Sequence, residues 1–310
     1  MTQLILYLIV LLLGILIIAK AGDAFVDAAC AIARGYGVPQ AVIGLTLVSF
    51  ATTAPEFLTS TMASALGDVG IAYGNAVGSI IANTALILAV AMIAIPTLVE
   101  RDRVHDGLVL LGLGAILILL TLNAELSRYE GIGLLLMLGM FLWFVIRREA
   151  KREGRSKSGE KVRLKHKFII FGISAAGIAI ASRMLIYSGI GIAEFFGIPE
   201  IVIGLTVIAV GTSIPELTTA IISTIKKVPE LSLGNIIGAN ILNLVWVLGA
   251  SSVIRPLQVD SKSIWFSNPV MLAIIALLVL FMAKGRLKRG HGVLFLAVYI
   301  SYLIGLILCY

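Results

Sequence analysis

Two glutamates, Glu56 and Glu216, stand in the middle of long apolar stretches, each directly after a proline, Pro55 and Pro215. An ionised carboxylate at bilayer depth costs several kcal/mol unless it is paired or bound to a metal ion. Proline has no N–H and its ring crowds the carbonyl four residues back. The chain is therefore expected to leave the helix there, freeing carbonyls from about Ala51 to Thr53 and from Gly211 to Ser213. Non-helical backbone at that depth is tolerated only where it faces a cavity or a ligand. Carboxylates and free carbonyls together make an oxygen cage, which suits a hard cation such as Ca2+ or Na+.

A second set of polar residues repeats at helical spacing. Asn75, Ser79 and Asn83 are four apart and share one face, with Gly74 and Gly78 offering a small face beside them. Asn235, Ala239 and Asn243, with Gly234 and Gly238, repeat the pattern. Asn83 and Asn243, the deepest, are expected to be ligands. Asn75 and Asn235 are expected to hydrogen-bond between helices, worth about 0.6 kcal/mol on average in membranes.

The elements that must carry these groups are membrane helices. Of 310 residues 59% are hydrophobic and 13% charged, with mean hydropathy +1.06. A soluble domain carries about 25% charged residues, so a water-soluble enzyme is excluded. Stretches long enough to span fall near 4–33, 38–66, 71–98, 106–123, 128–146, 168–193, 198–225, 231–254, 264–283 and 291–309. Barrel strands would alternate in polarity every second residue, and these do not. The opening run lacks a basic n-region and a cleavage site, and reads as the first span rather than a signal peptide. Cys30 and Cys309 form no CxxC pair, so no disulfide framework or thiolate site is expected.

Residues 147–167 hold ten Lys/Arg against three Glu, a surplus equal to the net charge of +7 of the whole chain. That loop is expected to be cytoplasmic, with both termini outside, and it explains the basic balance without nucleic acid. Arg34, Arg101, Arg103, Lys226, Lys227, Lys284, Arg286, Lys288 and Arg289 then fall inside, and only Arg128, Arg255 and Lys262 outside. Such a multi-pass protein is expected in the plasma membrane, with lipid and inorganic cations as partners and no obligate protein partner.

Sliding the chain along itself by 160 residues exposes a duplication. GVPQAVIGLT at 37–46 faces GIPEIVIGLT at 197–206, ATTAPEFLTS at 51–60 faces GTSIPELTTA at 211–220, and GNAVGSIIAN at 74–83 faces GNIIGANILN at 234–243. About 18 of the 60 pairs from 37 to 96 are identical, and they fall on polar residues, Gly and Pro. With five spans per half the second half enters from the opposite side. The expectation is an all-α membrane protein of ten helices in two inverted five-helix repeats, 1–146 and 168–310, joined by the basic loop 147–167, with helices two and seven broken. Asp23 and Arg183 correspond under the same offset and are expected to pair between halves in one state.

These paired blocks resemble the two alpha-repeats of the sodium/calcium exchangers in the cation/calcium exchanger superfamily. The resemblance implies that Ca2+ is held by Glu56 and Glu216, by the carbonyls of Thr52 and Thr212, and by Asn83 and Asn243. It implies sodium sites at Ser49, Thr53, Ser79, Ala209 and Ser213, shared with Glu56 and Glu216, and no cofactor. Several positions depart from the family pattern. Ala239 stands where a serine is usual, Phe50 and Ala51 replace small or aliphatic residues and glycine, and Asn243 replaces an aspartate found in some relatives, against the potassium-dependent branch.

The implied function is a secondary antiporter in which Na+ and Ca2+ compete for the same carboxylates while the halves rock to give alternating access. Proton/calcium exchange is the alternative within transporters, and it usually brings a glutamate after the second glycine of the block, where Ser79 and Ala239 stand. A channel also uses carboxylates and carbonyls, but more often assembles identical chains around an axis. A membrane hydrolase is disfavoured, because His105, His166 and His291 lie in or beside loops and no HExxH or GxSxG occurs.

Overall fold

The computed structural model describes residues 2–99, 101–150, 164–196, 211 and 213–309, and elements are numbered within them. α1 (Thr2–Tyr36) is apolar over its first half and yet uncovered, with Leu12 and Leu16 61% and 63% exposed. Such a helix has lipid for its solvent. Further along, Phe25, Val26, Ala29 and Ile32 are buried in a cluster that includes Phe171 and Ile178 of α8 (Leu164–Phe195). The two helices run antiparallel over their length. Tyr7 meets Tyr187 edge-on at 5.5 Å, Phe25 stacks on Phe171 at 4.4 Å, and Tyr36 meets Phe168 at 6.3 Å.

After a turn at 37–39 the chain is helical from 40 to 66 in three pieces: α2 (Gln40–Ile43), a π-helical turn (Gly44–Val48) and α3 (Ser49–Leu66). The break expected at Pro55 is absent, for Pro55 lies inside α3. A proline's fixed φ suits a helix, and what is lost is the hydrogen bond to the carbonyl of Ala51. The irregularity lies earlier, in the π-turn, where Ser49 Oγ donates to the carbonyls of Leu45 and Thr46, each at 2.9 Å. α3 stops at Gly67, whose φ of +105° lets the amides of Gly67 and Asp68 return to the carbonyl of Ala63. In the second copy α9 (Ile214–Ile225) starts at its proline, with Ser213 as N-cap outside helical geometry. Residues 197–210 and 212, which carry the preceding part of the seventh predicted span, lie outside the described residues.

Two rods of 26 residues fill the centre and are mostly buried. One is α4 (Val69–Ala82), a π-turn (Asn83–Ile87) and α5 (Leu88–Ala94); the other is α10 (Pro229–Leu242), a π-turn (Asn243–Val247) and α11 (Leu248–Ile254). Around them stand α6 (Arg101–Leu120), α7 (Arg128–Ala150), α12 (Asn268–Ala283), which a π-turn (Ser263–Ser267) precedes, and α13 (Arg289–Cys309). α6 packs antiparallel on α12, α7 on α11, and α13 on α5. Among the described residues eight helices are long and apolar enough to cross a membrane. The polar-centred stretch 40–66 is not one of them, although it is helical throughout.

Two short strand pairs join distant loops. β1 (Thr97–Leu98) pairs antiparallel with β4 (Arg286–Leu287), and β2 (Glu125–Leu126) with β3 (Leu257–Gln258).

Asp23 does not meet Arg183 in this conformation. Lys226 Nζ, just beyond α9, lies 2.8 Å from Asp23 and 2.7 Å from Asp27, while Arg183 Nη2 donates to Thr59 Oγ1 at 3.4 Å. Burial pushes the Lys226 ammonium down, but the hydrogen bonds and charges of Asp23 and Asp27 more than offset it and hold its pKa above the usual lysine range. Cys30 is buried and free.

Candidate metal centre

Glu56 of α3 and Glu216 of α9 are both fully buried, and each takes a hydroxyl from the other's helix region. Thr53 Oγ1 donates to Glu216 Oε1 at 3.3 Å, and Ser213 Oγ donates to Glu56 Oε1 at 3.4 Å. Thr53 and Ser213 are 160 residues apart, as are the glutamates, so one contact is made twice. The second oxygen of each carboxylate, Glu56 Oε2 and Glu216 Oε2, is buried with no hydrogen-bond partner among the described residues. Their ion pairs are likewise missing among those residues. Two buried acceptors of this kind are costly unless a cation meets them.

The central rods supply the rest of the lining. Asn83 and Asn243, both fully buried, each begin a π-turn in the middle of an otherwise regular rod. π-turns of one turn's length recur at functional sites because they re-aim side chains in mid-helix. Asn83 Oδ1, both polar atoms of Asn243, and Ser79 Oγ have no hydrogen-bond partner among the described residues. Ala239, at the place corresponding to Ser79, is fully buried and brings no hydroxyl.

Asn75 and Asn235 do link helices. Asn75 Nδ2 donates to Ser60 Oγ at 2.9 Å and to the carbonyl of Glu56 at 3.4 Å, and Asn235 Oδ1 accepts from Thr52 Oγ1 at 3.1 Å. Thr52 Oγ1 also leans toward the Ser49 carbonyl at 3.4 Å. The Ser49 hydroxyl donates its proton within its own π-turn, and its oxygen keeps its lone pairs. Phe50 and Phe57 both pack on Trp246, at 5.1 and 4.2 Å between ring centroids, and close off one flank. Thr212 and Ala209 lie outside the described residues.

Helices α2 to α3 and α10 approach with no side chain between them. A Cβ on Gly44 would lie 2.4 Å from the Leu231 carbonyl oxygen, and one on Gly238 would lie 2.4 Å from that of Leu45. A Cβ on Gly74 or Gly78 would have no described atom within 4 Å beyond its own stretch of helix.

One residue of the centre escaped the sequence reading. Asn240 accepts from Asn83 Nδ2 at 3.2 Å and donates to Thr84 Oγ1 at 2.7 Å. The available signal was its mismatch with Ile80 at the corresponding place of the first half.

Taken together, the lining offers two carboxylates, hydroxyls and amide oxygens but no thiolate or imidazole among the described residues, a donor set for a hard cation. Known proteins agree with that chemistry. A family model described as "Sodium/calcium exchanger protein" matches residues 6–147 and 166–308. The inner membrane protein YrbG of Escherichia coli is 36% identical over 306 residues, covering 94% of each chain. The sodium/calcium exchanger MaX1 of Methanosarcina acetivorans is 34% identical over 342 residues, covering 96% of this chain and 97% of its own. The sodium-calcium exchanger NCX_Mj, in a structure soaked with Na+ and Sr2+, superimposes with a TM-score of 0.88 at 28% identity, covering 97% of this chain and 99% of that one. A match of both halves, with full-length relatives and a full-length structural likeness, leaves one assignment: the chain is a multi-pass membrane protein of the sodium/calcium exchanger family.

Proposed function

We propose that the protein is a secondary antiporter that exchanges Na+ for Ca2+ by alternating access, at the centre built on Glu56 and Glu216. The observation that carries this reading is the reciprocal pair Thr53–Glu216 and Ser213–Glu56, which holds two carboxylates together and leaves Oε2 of each without a partner among the described residues. Two negative charges neutralise one Ca2+, with Asn83, Asn243 and the carbonyls of Thr52 and Thr212 completing its shell. Na+ uses the same carboxylates with Ser49, Thr53, Ser79, Ala209 and Ser213. An empty centre, with two buried and unpaired carboxylates, is too costly to carry across, and this couples the two fluxes.

Ten spans in two inverted halves, 1–146 and 168–310, supply the frame. α1 and α8 correspond under the 160 offset and pack antiparallel, and so do α6 and α12, as a two-fold axis in the membrane plane requires. The basic loop 147–167 is assigned to the cytoplasm of a plasma membrane, with both termini outside. A cavity of about 380 Å³ lined by Arg34, Gln40, Leu45, Glu230, Gly234 and Ile237 then opens on the cytoplasmic side. It reaches Gly234, next to the Asn235 that Thr52 holds, and serves as the inner approach to the ions.

Purified protein in liposomes tests the reading. An outward sodium gradient is expected to drive Ca2+ uptake, and an outward proton gradient alone is not. Uptake on protons alone overturns the choice of coupling ion. Glu56→Gln and Glu216→Gln are each expected to abolish uptake while the protein still elutes as a folded species, and full activity in either removes that residue from the centre.

A further inference from the structure

The two asparagines of the centre are not equivalent. Asn83 Nδ2 donates to Asn240 Oδ1 at 3.2 Å, and Asn240 is itself set by donating to Thr84 Oγ1 at 2.7 Å. All three side chains are fully buried. In the other half the corresponding places are Ile80 and Leu244, which offer no polar atom, and neither polar atom of Asn243 has a partner among the described residues.

A primary amide has an acceptor end and a donor end, and only the acceptor end suits a cation. Left to itself in a buried site it turns either way. Fixing the donor end in a hydrogen bond makes the carbonyl end the one available, as partners behind a metal ligand commonly do. We propose that Asn240 is a positioning residue that holds the amide of Asn83 with its oxygen ready for Ca2+, so that the calcium shell has one rigid amide ligand and one adjustable amide, Asn243. The idea rests on the exchange reading above, in which Asn83 is a calcium ligand. It assigns to Asn240, which touches no ion, part of the preference for Ca2+ over Na+, because Asn83 serves calcium and is outside the sodium set.

The test is initial calcium uptake into liposomes at a fixed outward sodium gradient, with the calcium and sodium dependences measured separately. Asn240→Ile, which gives both halves the same residue, is expected to raise the calcium KM by about 10–100-fold, the range typical of lost support behind a metal ligand. The sodium concentration for half-maximal drive is expected to shift less than threefold. Asn240→Asp keeps an acceptor for Asn83 Nδ2 and is expected to keep the calcium KM near that of the unaltered protein. Thr84→Ala removes the acceptor that sets Asn240 and is expected to raise the calcium KM by a smaller factor.

An unchanged calcium KM in Asn240→Ile, or equal shifts in calcium and sodium dependence, overturns the proposal. Should Asn240→Ile not fold, Thr84→Ala and Asn240→Asp decide it, and a Thr84→Ala protein with unaltered calcium KM overturns it equally. Asn83→Leu separates the two levels. If that substitution leaves the calcium KM alone, the assignment of the centre itself fails; if it raises the KM and Asn240→Ile does not, only the role of Asn240 fails.

Discussion

Ala239 is fully buried where the first half has Ser79, a hydroxyl without a partner among the described residues. If Ser79 gives its oxygen to sodium, the opposite flank lacks the matching donor. Ala239→Ser restores it, at a cost of about 1–3 kcal/mol when the buried hydroxyl finds no partner. The variant is expected to melt at a lower temperature than the unaltered protein in sodium-free buffer, to recover as Na+ is added, and to need severalfold less Na+ for half-maximal exchange. Unaltered sodium dependence takes position 239 out of the sodium path. At this scale the carboxylates were legible because each stands alone in an apolar run, and the structure buries both completely. Asn240 was not. Comparing the halves favours residues that match, and its whole importance comes from a mismatch, Asn in one half and Ile in the other.

Among the elements, the contact of α2 to α3 with α10 brings backbone against backbone at Gly44 and Gly238. A methyl at either place falls 2.4 Å from a carbonyl oxygen, so a helix has to move. Gly44→Ala and Gly238→Ala are each expected to cost about 2 kcal/mol, within the range for overpacked cores, and to lower the midpoint of thermal unfolding in detergent. Gly112→Ala, on α6 where the added Cβ meets no described atom within 4 Å beyond its own stretch of helix, is expected to be neutral or slightly stabilising. Helix content and the special standing of the prolines were readable from composition, but the form of the irregularity was not. Pro55 suggested a break, and the chain instead stays helical through it and carries a π-turn ahead of it. A π-turn adds one residue to a turn without any residue type that marks it, so the four that begin at Gly44, Asn83, Asn243 and Ser263 left no trace in the pattern.

For the molecule as a whole, the duplication was legible in the matched blocks, while the links between its halves were not. Two-residue strands in polar loops carry no usable alternation, so β1·β4 and β2·β3 had no signature. Each pair joins a loop of the first half to a loop of the second, and the residues that alternation places on one side meet in each: Thr97–Leu98 with Arg286–Leu287, and Glu125–Leu126 with Leu257–Gln258. A disulfide tests whether these links open during transport, in a background of Cys30→Ser and Cys309→Ser. Thr97→Cys with Leu287→Cys, which are Cα partners in the strand pair, is expected to oxidise and leave exchange intact. Gly22→Cys with Thr218→Cys, at the contact of α1 with α9, is expected to stop exchange when oxidised and to release it on reduction. Arrest by the strand bridge reverses that division of the molecule.

The strand pairs thus work as staples. With a staple at each end, two loops of the first half are tied to two loops of the second. Outside the strand pairs lies the long pair α1 and α8, which grip each other from Tyr7 and Tyr187 to Tyr36 and Phe168. If the strand bridge leaves exchange intact while the bridge from α1 to α9 arrests it, this pair is a sliding shutter on a fixed frame.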